Sequence, residues 1–216
     1  MKSEPTTEEP LCRNCLKPLR VGALRHLLER DPCLCDECLS QLDFELERHD
    51  FNGIKVFFVY RYSGLIRDIL LRYKERLDVA LAPVFLAFIH PFLRLYLKGR
   101  ILVPVPSLAS RMEERGFSHL DTMLDSYSLP HVDILSKGGE VQKGKGFLER
   151  REEKTIFLEK TDESLFDLKV VLFDDVMTSG ESLLQSYEAV LSLSPKSVSA
   201  IVLMDNHFGK DFARKS

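Results

Sequence analysis

The sequence predicts an α/β fold, a parallel sheet flanked by helices, with a small cysteine-rich module ahead of it. Three observations carry this reading. Val170 to Phe173 is a short unbroken apolar run, as expected of a strand covered on both faces. Leu183, Leu184, Tyr187 and Leu191 follow at helical spacing. All five cysteines fall between positions 12 and 38, ahead of every apolar strand-like run. A length of 216 residues suits one α/β domain plus a small appendage, and 44% hydrophobic with 29% charged residues allows a sizeable core. The net charge of −3 excludes a global pull toward nucleic acid or an anionic membrane, so any basic surface is local.

Residues 1–10, MKSEPTTEEP, are acidic and lack an apolar run, so a disordered lead-in without a secretory signal is expected, and a cytoplasmic location with it. Residues 11–50 are expected to form a metal module and linker. Cys12-x-x-Cys15 and Cys35-x-x-Cys38, nineteen residues apart, have the two-knuckle spacing of a zinc site. Cys33 is the spare, and the spacing leaves open that it replaces Cys35. Four thiolates about one ion leave no open position, so the zinc is expected to be structural. A module of about thirty residues has too little core to fold without it. Reduced thiols fit a cytoplasmic setting. A helix is expected over Ala23 to Arg30, with His26 on its surface, and Gln41 to Asn52 reads as a charged connecting helix or linker.

The main domain is expected over 51–208, with a tail at 209–216. Ile54 to Tyr62 is rich in β-branched and aromatic residues and reads as a strand. Ser63 or Gly64 opens a helix with Leu65, Ile66, Ile69 and Leu70 on one side. Arg61, Arg67, Arg72, Lys74 and Arg76 make it locally basic, either a solvated face or an anion-binding edge. Val79 to Leu97 is apolar but broken by Pro83, His90, Pro91 and Arg94, so it reads as a buried, interrupted helix and not a membrane span. Ile101 to Pro106 is a strand that must end or bulge at Pro104, which has no N–H for a ladder. Arg111 and Arg115 follow, then a helix over Ser118 to Ser126. His131 to Leu135 reads as a short strand, Ser136 to Arg151 as a long mobile loop, and Ser197 to Met204 as the last core strand.

The candidate site lies where the 170–173 strand would reach its carboxyl edge. Asp174 and Asp175 come there, followed by Thr178, Ser179, Gly180 and Ser182 at the start of a helix. In open α/β sheets ligands bind beyond the carboxyl ends of strands. A helix start offers free N–H groups and a positive dipole end, which suit phosphate. Carboxylates accept hydrogen bonds from sugar hydroxyls. Together these suggest a ribose 5-phosphate site. An ordinary buried strand ending in an Asp cap fits the same residues.

V-V-L-F-D-D-V-M-T-S-G-E-S resembles the phosphoribosyl-pyrophosphate (PRPP) signature of type I phosphoribosyltransferases. That resemblance assigns Asp174 and Asp175 to the ribose hydroxyls, and Met177, Thr178, Ser179, Gly180, Glu181 and Ser182 to the 5-phosphate. Ser179 and Ser182 stand where threonine is usual, and Glu181 where a small residue is usual. The cysteine knuckles, YRYSGLIRDILLRYK at 60–74, V-P-V-P followed by E-R-G-F, and Q-K-G-K-G-F-L-E-R-R extend the likeness over most of the chain. Together they resemble the ComF family, competence-associated proteins of type I phosphoribosyltransferase-like fold with an N-terminal zinc finger. The resemblance implies zinc at Cys12, Cys15, Cys35 and Cys38. It implies a pyrophosphate loop at Val105, Pro106 and Ser107, with Arg111 and Arg115 close by, and a mobile loop over Gln142 to Arg151. Ser118 stands where the family usually has Asn.

What the family resemblance implies in function is DNA uptake in natural transformation, with single-stranded DNA and a helicase as partners and PRPP or DNA phosphate in the pocket. Two alternatives stay open. One is an active phosphoribosyltransferase of nucleotide salvage that uses Mg²⁺ with PRPP; the other is a non-catalytic PRPP-sensing module. No residue stands out as a general base, and no long basic stripe interleaved with aromatics appears.

Overall fold

The computed structural model describes residues 9–23, 25, 32–107, 109–138, 155–158 and 165–207. Its centre is a five-stranded sheet in the order β1-β2-β7-β6-β3. These strands are β1 (Phe44–Phe51), β2 (Ile54–Arg61), β3 (Arg100–Pro104), β6 (Lys169–Met177) and β7 (Ser197–Asp205). β2, β7, β6 and β3 run parallel, and β1 joins β2 as an antiparallel edge. A separate two-stranded sheet pairs β4 (Leu135–Gly138) with β5 (Thr155–Leu158).

The unbroken apolar run of β6 is explained by cover on both faces. Val171 and Phe173 pack into a core with Ile66, Ile69 and Tyr73 of α2 (Gly64–Glu75) and Leu120 and Met123 of α5 (His119–Asp125). Val170 and Leu172 face the opposite core, with Leu183 and Val190 of α6 (Glu181–Leu191) and Ile156 of β5. Each fully buried side chain of this size contributes about 1.5–3 kcal/mol before chain entropy is counted.

The first core also takes in Cys12, Cys33, Cys35 and Cys38. The cysteine segment, with its short α1 (Asp36–Leu39), therefore packs on the main core. Leu81, Val84 and Phe85 of a 3-10 segment (Val79–Phe85) and Leu93 of α3 (His90–Tyr96) are buried there too. These two pieces meet at a 66° bend, which matches the expected interruption. No single helix among the described residues is long and apolar enough to cross a membrane.

Four expectations are corrected. Residues 44–51 are not a helix or linker but the edge strand β1, because pairing with β2 outweighs their weak strand propensity. Their charges suit an exposed sheet edge. β6 does not stop at Phe173 but runs through Asp174 and Asp175 to Met177, since Asp174 pairs with Val202 and Met177 with Asp205 whatever the side chains carry. Residues 131–134 are not a strand; Val132 donates one N–H to the Leu102 carbonyl at 3.0 Å, and regular pairing begins only at Leu135. Residues 136–138, expected in the loop, belong to β4. The rest of that loop, including Gln142 to Arg151, lies outside the described residues, as do the tail and most of the helix expected over 23–30, His26 included.

Pro104 ends β3 as expected, and it is tolerated because β3 is an edge. Val105 still donates to the Phe173 carbonyl at 2.8 Å, so the loop after Pro104 leaves the sheet beside the acidic pair.

Candidate functional site

At the carboxyl end of β6 the two aspartates have different surroundings. Asp175 is buried, and its Oδ2 pairs with Lys74 Nζ from the end of α2 and, at 2.8 Å, with His119 Nε2 from the first turn of α5. Burial works to raise its carboxyl, but Lys74 and then His119 outweigh it and hold the group well below the usual carboxylate range. Asp174 is only partly buried, and its Oδ1 accepts the Asp175 N–H at 2.9 Å. Desolvation, then the charge of Asp175, push its carboxyl up to about 7, against the opposing pull of Lys74. One carboxylate is thus a fixed anion tied to two helices, and its neighbour changes charge near neutral pH.

The turn that follows leads into α6. Gly180 caps α6 with φ +77°, a left-handed conformation that glycine adopts without strain. A Cβ there would lie 2.3 Å from the Phe51 ring, so this position requires glycine. Thr178 and Ser179 are exposed, and the Thr178 carbonyl accepts from His207 Nδ1 at 2.9 Å. Glu181 accepts from Gln185 Nε2 at 3.4 Å, one turn along α6, so its carboxylate lies along the helix. Lys137 of β4 reaches across and donates to Ser182 Oγ at 2.6 Å, which brings a cation to the first turn of α6. Lys137 also acts electrostatically on Asp174.

A cavity of about 200 Å³ opens beside these groups, lined by Pro104 to Ser107, Ser118 to Asp121, Asp133 and Leu135 to Lys137. The expected pyrophosphate loop is therefore one wall of this cavity, and Lys137 links it to the turn. Ser107 Oγ lies 3.4 Å from His119 Nδ1, so His119 stands between that loop and Asp175. Arg115 ends α4 (Ala109–Arg115), where it pairs with Glu75 at 3.6 Å; Arg111 lies on the same helix.

Sequence reasoning missed His119 and Lys137 as site residues and named Lys74 only as one of five basic residues on a possible anion-binding edge. A signal existed for two of them. Lys74 sits four residues after Leu70 on the apolar side of α2, and His119 four before Met123 on that of α5. A charged or titratable group on a buried stripe needs a partner. Nothing local marks Lys137.

The cysteine cluster settles the choice left open by spacing. Sγ atoms of Cys12, Cys15, Cys35 and Cys38 lie within 4.8 Å of one another, and Cys33 is not part of the group. Cys15 and Cys35 sulfurs are 3.8 Å apart. A tetrahedral ion with Zn–S of about 2.3 Å needs edges of about 3.8 Å. The Cys35 N–H donates to Cys12 Sγ at 3.4 Å and Asn14 Nδ2 to Cys38 Sγ at 3.3 Å, hydrogen bonds of the kind that support metal-bound thiolates. The donor set fits zinc.

No family model matches the chain. Among curated proteins, the competence protein ComFC of Streptococcus pneumoniae (strain ATCC BAA-255 / R6) is 24% identical over 196 residues, 80% of this chain and 88% of that protein. The competence protein ComFC of Bacillus subtilis (strain 168) is 31% identical over 128 residues, 58% of this chain and 53% of that protein. The chain is thus similar in sequence to two competence proteins named ComFC. Among solved structures, a hypoxanthine phosphoribosyltransferase from Staphylococcus aureus aligns at 15% identity over 57% of this chain and 62% of that one, with a TM-score of 0.37. The chain joins a mostly parallel five-stranded α/β sheet, in the order given above, to a four-cysteine group.

Proposed function

We propose that this competence-related protein binds PRPP, or another ribose 5-phosphate, at the carboxyl rim of β6. The 5-phosphate sits in the 177–182 turn, and the ribose hydroxyls face Asp174. The observation that carries this reading is the contact of Lys137 with Ser182, which sets a cation beside the left-handed Gly180 turn and the start of an eleven-residue helix. N–H groups, hydroxyls and an ammonium converge there as they would on a phosphate. Asp175 serves the site by anchoring, since Lys74 and His119 already occupy its carboxylate. The cavity beside Val105 to Ser107 takes the pyrophosphate, and Mg²⁺ accompanies it.

The same pocket can engage the sugar–phosphate of single-stranded DNA during uptake, which fits the competence proteins that the chain resembles. A cytoplasmic helicase partner belongs to this reading through the family resemblance alone. The alternative is catalysis, transfer of the phosphoribosyl group to an acceptor.

Calorimetry with PRPP and ribose 5-phosphate, each with and without Mg²⁺, tests the site. Binding that weakens at least tenfold in Asp174→Asn and in Lys137→Ala supports it. Unchanged affinity in both variants rejects it.

A further inference from the structure

The outer edge of the sheet carries a second cluster of chemically active side chains, a group distinct from the four cysteines and not used in the reading above. The ligand atoms of Glu45, Glu47 and His49 on β1 lie within 4.8 Å of one another. His49 Nε2 is 3.3 Å from Glu45 Oε1 and 3.6 Å from Glu47 Oε2. Charge-assisted N–H···O bonds are shorter, about 2.7–2.9 Å. A tetrahedral ion holding ligands at about 2.1 Å keeps them about 3.4 Å apart, which matches both separations.

The second observation is independent of that spacing. The Glu45 side chain is 7% exposed, and its other oxygen, Oε2, is buried without a hydrogen-bond partner among the described residues. A buried carboxylate oxygen left in that state is costly. Asp205, buried at the end of β7, adds a further negative charge that acts on Glu45. A divalent cation chelated by both Glu45 oxygens would satisfy Oε2 and offset the repulsion; a proton on His49 offsets the charge but leaves Oε2 without a partner.

We propose that Glu45, Glu47 and His49 form a second divalent-cation site of mixed carboxylate and imidazole donors. The chemistry suits Zn²⁺ or a similar transition ion. Three protein ligands leave one position open, and the Glu47 side chain, 57% exposed, faces the solvent from which water or an anion would fill it. This site differs from the cysteine site in both respects, being hard-donor and open.

The test uses the full chain, dialysed against low-micromolar zinc and analysed for bound metal. Glu47→Gln and His49→Ala should each carry one zinc per chain fewer than the wild type. After cobalt exchange, the thiolate charge-transfer band of the cysteine site should stay unchanged in both. Glu47 is exposed, so its variant keeps the fold if the His49 variant does not. Zinc content equal to wild type in Glu47→Gln and in any folded His49 variant would overturn the proposal. So would loss of that ion in His131→Ala, which alters a separate Asp121–His131–Asp133 group.

Discussion

His119 Nε2 lies 2.8 Å from Asp175 Oδ2, and on its other side His119 Nδ1 faces Ser107 Oγ at 3.4 Å. One imidazole therefore joins the loop after β3 to the acid at the end of β6. With Lys74 on the same carboxylate, it fastens α2 and α5 to the sheet at the rim of the cavity.

Removing a cation from this buried pair should cost stability. Lys74→Met is expected to lower the free energy of urea unfolding by about 3 kcal/mol, because Asp175 keeps its charge with one partner gone. Asp175 has a depressed carboxyl, so its contribution is fully present above about pH 4 and is lost as pH falls through the lower folded value. Urea titrations at pH 7 and at pH 3 should show the gap between variant and wild type shrinking in acid. A constant gap would contradict the assignment.

Asp174 has the opposite sign. Its folded carboxyl, at about 7, holds a proton that the unfolded chain releases near pH 4. Between those values stability falls as pH rises. Asp174→Asn should therefore be more stable than wild type at pH 8, by roughly 1–2 kcal/mol after screening by solvent, and no different at pH 4. Thermal melts across that range measure it. The same variant is the one expected to lose PRPP.

Gly180→Ala should destabilise the protein by about 2 kcal/mol and weaken phosphate binding with it. The left-handed φ and the Phe51 ring at 2.3 Å both oppose a Cβ. Retention of full stability would show that the turn relaxes freely.

Zinc at the cysteines should depend on pH. Metal binding needs thiolates, and burial pushes the Cys38 thiol up to about 12, while backbone N–H groups work against burial to bring Cys12 down to about 6. Protons therefore compete, and zinc retained at pH 8 should be released as pH falls toward 5. Because Cys12 and Cys38 share a core with Val59 and Ile66, a chelator should lower the melting temperature of the whole chain. Metal analysis alongside a melt checks both. An unchanged melt after metal removal would separate the module from the core.

Single-stranded DNA binding through phosphates should weaken as salt rises, with a log–log slope that becomes shallower in Lys137→Ala. Fluorescence anisotropy at several salt concentrations reads this directly. A slope unaffected by the substitution would place the DNA contact elsewhere.

Much of this was readable along the chain because the signals are local. The apolar run of β6, the helical spacing after Gly180 and the cysteine knuckles each lie within a few residues of sequence. They mark strand, turn and helix and narrow the ligand set to the five cysteines through short-range geometry; Cys35 over Cys33 was decided by the fold. Pairing was not readable in that way. Phe44 to Phe51 looks like a charged linker until β2 supplies a ladder, and Asp174 and Asp175 look alike until the faces of β6 are known. Alternation along a strand sends neighbouring side chains to opposite faces, so two adjacent aspartates met different partners. Lys74, His119 and Lys137 come from three separate segments, and only folding brings them to one rim. Residue order could suggest a chemistry for the two aspartates, but the charge state of each acid depends on burial and on cations that are distant in sequence, and those exist only once the layers have packed.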